Sequence, residues 1–196
     1  MMRFRPLVAA LLTALVAACA TPLPTVYYTL NGEPMPGGGQ ASPSIEVLPA
    51  ALPELLDRPQ WVLQAGNGQV LIKESRRWAE PLRNEISSVI AGELGRLLDS
   101  SRVMAPTGGA EFHADYRLRL DVQRIDAMLG KGVAIDVFWR LDPAKGKPLS
   151  GRSQLHEAAE GAGETAYDRL LAAERRALKR VAGDIAAQIG QPAAQR

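Results

Sequence analysis

The sequence predicts an α+β fold: a mainly antiparallel sheet with two long helices packed on one face. Three features of the chain lead there. "ADYRLRLDVQ" and "GVAIDVFWRLD" alternate apolar and polar residues with the period of two that a half-buried strand requires. Residues 76–101 and 165–189 carry apolar side chains at spacings of three and four, the mark of a helix with one buried face. Most strand patterns are grouped together instead of alternating with helices, which separates this class from a wound parallel sheet.

The chain opens on something other than the fold. "LTALVAACATPL", residues 12–23, holds its one cysteine. Arg3 and Arg5 precede an apolar run from Leu7 to Ala18 that only Thr13 interrupts, and small Ala17 and Ala18 stand just before Cys19. That is the layout of a secretory signal. About twelve helical residues reach roughly 18 Å, well short of a hydrocarbon core of about 30 Å, so the run predicts no membrane span. "LVAAC" resembles the bacterial lipobox, where the signal is cut before a cysteine that then carries lipid; Val16 stands where leucine is commoner. Acylation also accounts for the cysteine count, because one thiol makes no internal disulfide and a free thiol is a liability in an oxidising compartment. The expected organisation is a signal peptide over 1–18, a lipidated cysteine and extended tether over 19–25, a single periplasmic α+β domain over 26–190 and a C-terminal tail over 191–196. Ala20 is the sorting residue. Aspartate at that place keeps lipoproteins of many Gram-negative bacteria in the inner membrane, so alanine predicts lipid anchoring to the outer membrane, with the domain on its periplasmic face.

Within the domain, "VYYTL" at 26–30 is β-branched and aromatic and predicts a first strand. Residues 31–43 are turn and breaker residues throughout and predict a mobile loop. "SIEVLP" predicts a second strand, and "PELLDRP" a turn closed by Pro59. "QWVLQAGNGQVLIKE" is two apolar runs around Gly66-Asn67-Gly68, residues that tolerate the positive φ of a tight hairpin. A helix is expected over "RRWAEPLRNEISSVIAGELGRLLDSS", with Trp78, Leu82, Ile86, Ile90, Leu94 and Leu97 as its apolar face. Pro81 fits its first turn, where a missing N–H costs nothing. "RVMAP" predicts a strand. In the next, Tyr116, Leu118, Leu120 and Val122 point one way and Asp115, Arg117, Arg119, Asp121 and Gln123 the other, which predicts cross-strand ion pairs on a solvated face. Val133, Ile135, Val137, Trp139 and Leu141 repeat the pattern beyond an "MLGKG" turn, and "DPAKGKP" leads into a third antiparallel strand, "SGRSQLHEAAE". The last helix has Thr165 and Asp168 at capping-box spacing and a stripe of Tyr167, Leu171, Leu178, Val181, Ile185 and Ile189.

Charge narrows the function classes. The chain has 23 basic and 21 acidic side chains, and Arg3 and Arg5 of the signal account for the excess. A formally neutral mature chain lacks the basic face that nucleic acid requires, and it does not favour purely electrostatic membrane attachment. No catalytic constellation emerges. His113 and His156 lie far apart on strands or their edges, with no HExxH spacing and no nearby cysteine. "GRSQL" lacks the second glycine of a nucleophile elbow, and "LGKGVA" and "AKGKPLSG" lack the Walker A spacing. The expectation is a non-enzyme with no catalytic residue, no metal and no cofactor. "ESRRWAEPL" is less bland. Arginine and tryptophan are favoured at interfaces, so Arg76, Arg77, Trp78 and Glu80 form a candidate partner interface. Trp78 also fits a core position, and Arg77 and Glu80 also fit a surface salt bridge. Trp61 and Trp139 are expected in the core.

"YYTL" soon after the cysteine, then "LPELLDRPQWVL", then "RRWAEPL" before a long helix resembles the PqiC (YmbA) family of ABC-type transport auxiliary lipoproteins. The resemblance runs from Tyr27 to the last helix. It implies a small periplasmic domain without catalytic residues that accompanies an MCE-type lipid transport system. The implied partners are an MCE-domain (PqiB-like) protein, inner-membrane permease components and, through the acyl chains, the outer membrane. No nucleic acid is implied, and a homo-oligomer stays open. The implied role is a non-enzymatic outer-membrane lipoprotein that docks the conduit at the outer membrane. The alternative is a structural or assembly lipoprotein of the envelope without a transport partner.

Overall fold

The computed structural model describes residues 24–30, 39, 43–105 and 113–189. The signal segment, Cys19, Ala20, most of the 31–43 loop and the 191–196 tail lie outside the described residues. In chain order the elements are β1 (Val26–Tyr28), β2 (Ile45–Val47), β3 (Gln60–Gly66), β4 (Gln69–Trp78), α1 (Leu82–Leu97), β5 (Val103–Met104), β6 (Tyr116–Met128), β7 (Gly132–Pro143), β8 (Leu149–Ala158) and α2 (Thr165–Ile189). The class is α+β as expected. The strands form two sheets, a three-stranded one in the order β1-β4-β3 and a five-stranded one in the order β5-β2-β6-β7-β8. Pairs β3/β4, β6/β7 and β7/β8 are antiparallel, whereas β1/β4, β2/β5 and β2/β6 are parallel. The long antiparallel strands follow from local turns. The parallel pairs join segments far apart in the chain, and alternation within one strand does not specify such a partner.

The β3–β4 hairpin turns as the glycines demand: Gly66, Asn67 and Gly68 have φ of 90°, 53° and 76°. Both helices pack on each other, with α1 also against β2 and β5 and α2 also against β7 and β8. Leu118, Leu120 and Val122 of β6 and Val133, Ile135, Val137, Trp139 and Leu141 of β7 are all buried, as their alternation predicts. The outer face carries the expected cross-strand ion pairs, Arg117 with Glu46 at 2.8 Å and Arg119 with Asp142, and a further pair within β7, Arg140 with Asp142 at 2.6 Å. Arg152 clamps Asp136 through both carboxylate oxygens at 2.8 and 2.6 Å, and this bidentate contact pulls the Asp136 pKa down to about 2.

Three expectations need correction. The first helix begins at Leu82 instead of within "RRW": Arg76, Arg77 and Trp78 are the end of β4, and Pro81 is the N-cap, one residue ahead of the first turn. Proline disfavours the helical region for the residue before it, so Glu80 is held outside the helix. Trp78 is buried as a core residue should be, but from a strand. Leu97, placed in the apolar face, is 40% exposed, because α1 ends there and the chain turns away at Leu98. On α2 the buried stripe is Leu170, Ala173, Glu174, Ala177, Leu178, Val181 and Ile185, with Tyr167, Leu171 and Ile189 only half-buried at its margins. Small alanines, which sequence scanning passes over, let α2 approach α1 and the sheet. The Thr165 hydroxyl donates to the Ala162 carbonyl at 3.1 Å.

Candidate docking site

The "LDRPQ" and "RWAEPL" motifs fold into one place. Pro59 closes the turn before β3, and its carbonyl accepts the Trp78 N–H at 2.7 Å. On the far side of β4, the Ala79 N–H donates to the Tyr28 carbonyl at 2.8 Å, so the strand end is fastened from both neighbours. Pro81 then caps α1, its carbonyl accepting from Asn84 N–H at 2.8 Å. Arg83, in the first turn, reaches back to the "LDRPQ" turn: its Nε donates to Asp57 Oδ1 at 3.2 Å, and its Nη2 pairs with Asp57 Oδ2. Between the two motifs runs a groove of about 540 Å³ lined by Asp57, Arg58, Pro59, Trp78, Glu80 and Arg83, among others. Arg58 Nε is buried, and among the described residues no acceptor reaches it.

Behind the groove stands an aromatic cluster. Trp61 lies 4.8 Å from Tyr28, 5.1 Å from Trp78 and 5.8 Å from Tyr167 between ring centroids. Arg76 closes its outer side. Its Nη1 donates to the Tyr28 hydroxyl at 2.6 Å, its guanidinium sits 4.5 Å over the Tyr167 ring, and its Nη2 pairs with Glu164. Burial pushes the Tyr28 phenol up, with Arg76 opposing. Glu174 of α2 is fully inside, 3% exposed, and accepts the Trp61 Nε1–H at 3.2 Å. Burial pushes its pKa up to about 8, with the Trp61 bond only partly offsetting that, so the carboxyl is largely protonated at neutral pH. A small cavity of about 10 Å³ adjoins it, walled by Trp61, Trp78, Leu56, Leu82 and Ile125. Glu85, also buried, accepts from Thr29 Oγ1 at 3.0 Å and Leu30 N–H at 2.9 Å, tying β1 to the start of α1.

Of the four residues proposed from sequence as a partner interface, Trp78 and Glu80 line the groove. Arg76 belongs to the aromatic cluster on the same side of β4 as Trp78. Arg77 points the other way, where its Nε donates to the Glu74 carbonyl at 3.0 Å and its Nη2 lies 3.4 Å from the Glu74 carboxylate. Sequence reasoning did not single out Asp57, Arg58 or Arg83, because the Asp57–Arg83 pair joins residues 26 apart in the chain. Glu174 did leave a signal: it interrupts an apolar stripe midway between Leu170 and Leu178, where a surface acid would not stand.

The family model of the ABC-type transport auxiliary lipoprotein component matches residues 28–186, from β1 almost to the end of α2. The chain belongs to this family. The PqiC/YmbA resemblance carried by the motifs is thereby upheld, and the coarse role is that of an auxiliary lipoprotein of an ABC-type transport system. No curated protein matches the chain in sequence. Among solved structures, an uncharacterized protein superposes with a TM-score of 0.67 at 20% identity, covering 86% of this chain and 100% of its own. A DUF330 protein from Xanthomonas campestris gives 0.59 at 18% identity, covering 85% of this chain and 94% of its own. These likenesses establish the fold and no more. Among the described residues no helix is long and apolar enough to cross a membrane.

Proposed function

We propose that this auxiliary lipoprotein is acylated at Cys19, sorted through Ala20 to the outer membrane, and docks the conduit of an MCE-type, Pqi-like lipid transport system there. It does so without catalysis. Its partners are an MCE-domain protein and, through that protein, inner-membrane permease components. The observation that carries the docking reading is the convergence of both family motifs on one groove, lined by Asp57, Arg58 and Pro59 from the first and by Trp78, Glu80 and Pro81 from the second. Trp78 supplies an apolar floor and Glu80 a charged rim, the arrangement of a contact patch.

The test is co-purification of the MCE-domain protein from solubilised envelopes. Glu80→Lys should abolish it while leaving the melting temperature nearly unchanged, since an exposed substitution usually costs within about 0.5 kcal/mol. Arg77→Glu, on the opposite face of β4, should leave it intact. Retention by Glu80→Lys together with loss by Arg77→Glu would move the contact to the other face and refute the groove.

A further inference from the structure

The β3–β4 hairpin carries a feature that neither the core nor the groove uses. Val70, Leu71 and Ile72 are consecutive and 36%, 45% and 40% exposed. Three adjacent apolar residues on a strand project to both faces of the hairpin, and such a run is an error in a soluble surface unless something covers it. They also lie on an open edge. β1 pairs with β4 only over Val26–Arg76, Tyr27–Arg77 and Tyr28–Trp78, so among the described residues the outer edge from Gln69 to Ser75 has no ladder partner. Proteins normally protect such an edge with charge. Here the hairpin end, "QAGNGQVLI" at 64–72, contains no charged side chain, in a protein of which 22% is charged.

What covers the tip follows from the direction of β1. Because β1 runs parallel to β4, following it towards its N-terminus leads along β4 to the Asn67-Gly68 turn. Pro24 and Thr25, the first described residues, are exposed. From Arg76 back to Val70 is about 20 Å at the usual strand rise. The chain from Cys19 to Val26 reaches at most about 25 Å. The anchoring cysteine can therefore stand level with the hairpin tip. We infer that the β3–β4 hairpin tip is a membrane-contact element, with Val70, Leu71 and Ile72 seated in the phospholipid leaflet that holds the acyl chains of Cys19. Uncharged side chains enter the interfacial zone of the leaflet readily, where water still reaches the unpaired N–H and C=O groups of the edge, and a neutral mature chain leaves apolar contact as the means of attachment. With the tip in the leaflet, the domain is held by two points and can turn only about the line that joins them. The inference rests on acylation of Cys19, and not on which membrane receives it.

The test uses the full-length protein, processed in cells and reconstituted into phosphatidylethanolamine–phosphatidylglycerol vesicles. Acylation occupies the thiol of Cys19, so Leu71→Cys, Ile72→Cys or Phe138→Cys each introduces the sole free thiol for an environment-sensitive fluorophore. Phe138 is equally exposed but lies on the outer face of β7. Probes at 71 and 72 should be quenched by doxyl-labelled lipids and spared by aqueous iodide, and the probe at 138 should show the reverse. Iodide quenching at 71 and 72 on vesicle-bound protein would refute the membrane contact while leaving the anchor in place. Protection of 71 and 72 from both quenchers would also refute it, because the edge would then be covered by protein, a second copy of the chain included. Failure of the unmodified protein to float with vesicles, with no acyl mass on Cys19, would overturn the anchor and the hairpin inference with it.

Discussion

Glu174→Gln should remove most of the pH dependence of stability between mildly acidic and mildly alkaline solution. The carboxyl is sealed under the Trp61 indole, and burial lifts its pKa from 4.5 to about 8. An acid raised in this way keeps its proton in the fold and loses it on unfolding. Its contribution is therefore wholly present below pH 4.5 and is lost as pH rises towards 8. Each unit in that window corresponds to about 1.4 kcal/mol, so the wild type should lose about 3 kcal/mol between about pH 5 and about pH 7.5. Asp136, Asp115 and Glu157 are held below their ordinary values, by Arg152, Ser44 and Arg180 in the main. Their contributions are present above their unfolded values and fail only as pH falls, outside this window. Glutamine keeps an acceptor for Trp61 Nε1 and has no proton to release. Urea denaturation across the window should show a steep decline for the wild type and a nearly flat line for Glu174→Gln, with the variant the more stable at the alkaline end. A flat wild-type profile, or a variant with the wild-type slope, would refute the assignment of a buried, protonated carboxyl.

Trp78→Ala should lower stability by about 3–5 kcal/mol, visible as a large drop in melting temperature, because it empties the wall between groove and aromatic cluster. Gly151→Ala should cost about 1–3 kcal/mol by denaturant titration, since a Cβ at Gly151 would collide with the Trp139 indole across the β7–β8 ladder. Cys19→Ala should abolish radiolabelled palmitate incorporation and leave uncleaved precursor on gels; labelled, processed mutant protein would defeat the lipoprotein assignment. Ala20→Asp, with Thr21→Asp where the following position is read, should shift the protein to inner-membrane fractions on a density gradient without unfolding it.

Legibility in the sequence followed the range of the interactions. The β6–β7–β8 meander could be read directly, because each strand alternates and each turn is local. The β3–β4 hairpin could be read from Gly66-Asn67-Gly68. The start of α1 was misplaced because Trp78 sits four residues before Leu82 and so imitates a helical repeat. What makes it a strand residue is the Pro59 carbonyl on one side and β1 on the other, neither of which is local. Of the candidate site, the motifs were visible but their meeting was not: the Asp57–Arg83 pair joins the turn before β3 to the first turn of α1, and it exists only once β3 and β4 have turned back on each other. The proposed reading of Cys19 and Ala20 as an anchor signal depends on neighbouring residues alone and needs no fold.

The parallel pairing of β1 with β4 also has a mechanical meaning. Any tension arriving from the N-terminal side enters the domain at Val26 and runs along the strand axis. It loads the ladder from Val26–Arg76 to Tyr28–Trp78 in shear, so the rungs yield together and not one after another as in an unzipping hairpin. Tyr28 then acts as the stop: its side chain is wedged against Trp61 and pinned by Arg76, and its carbonyl holds Ala79 N–H just before α1. A pull from the N-terminal side is thus delivered to the rim of the groove, within two residues of Trp78.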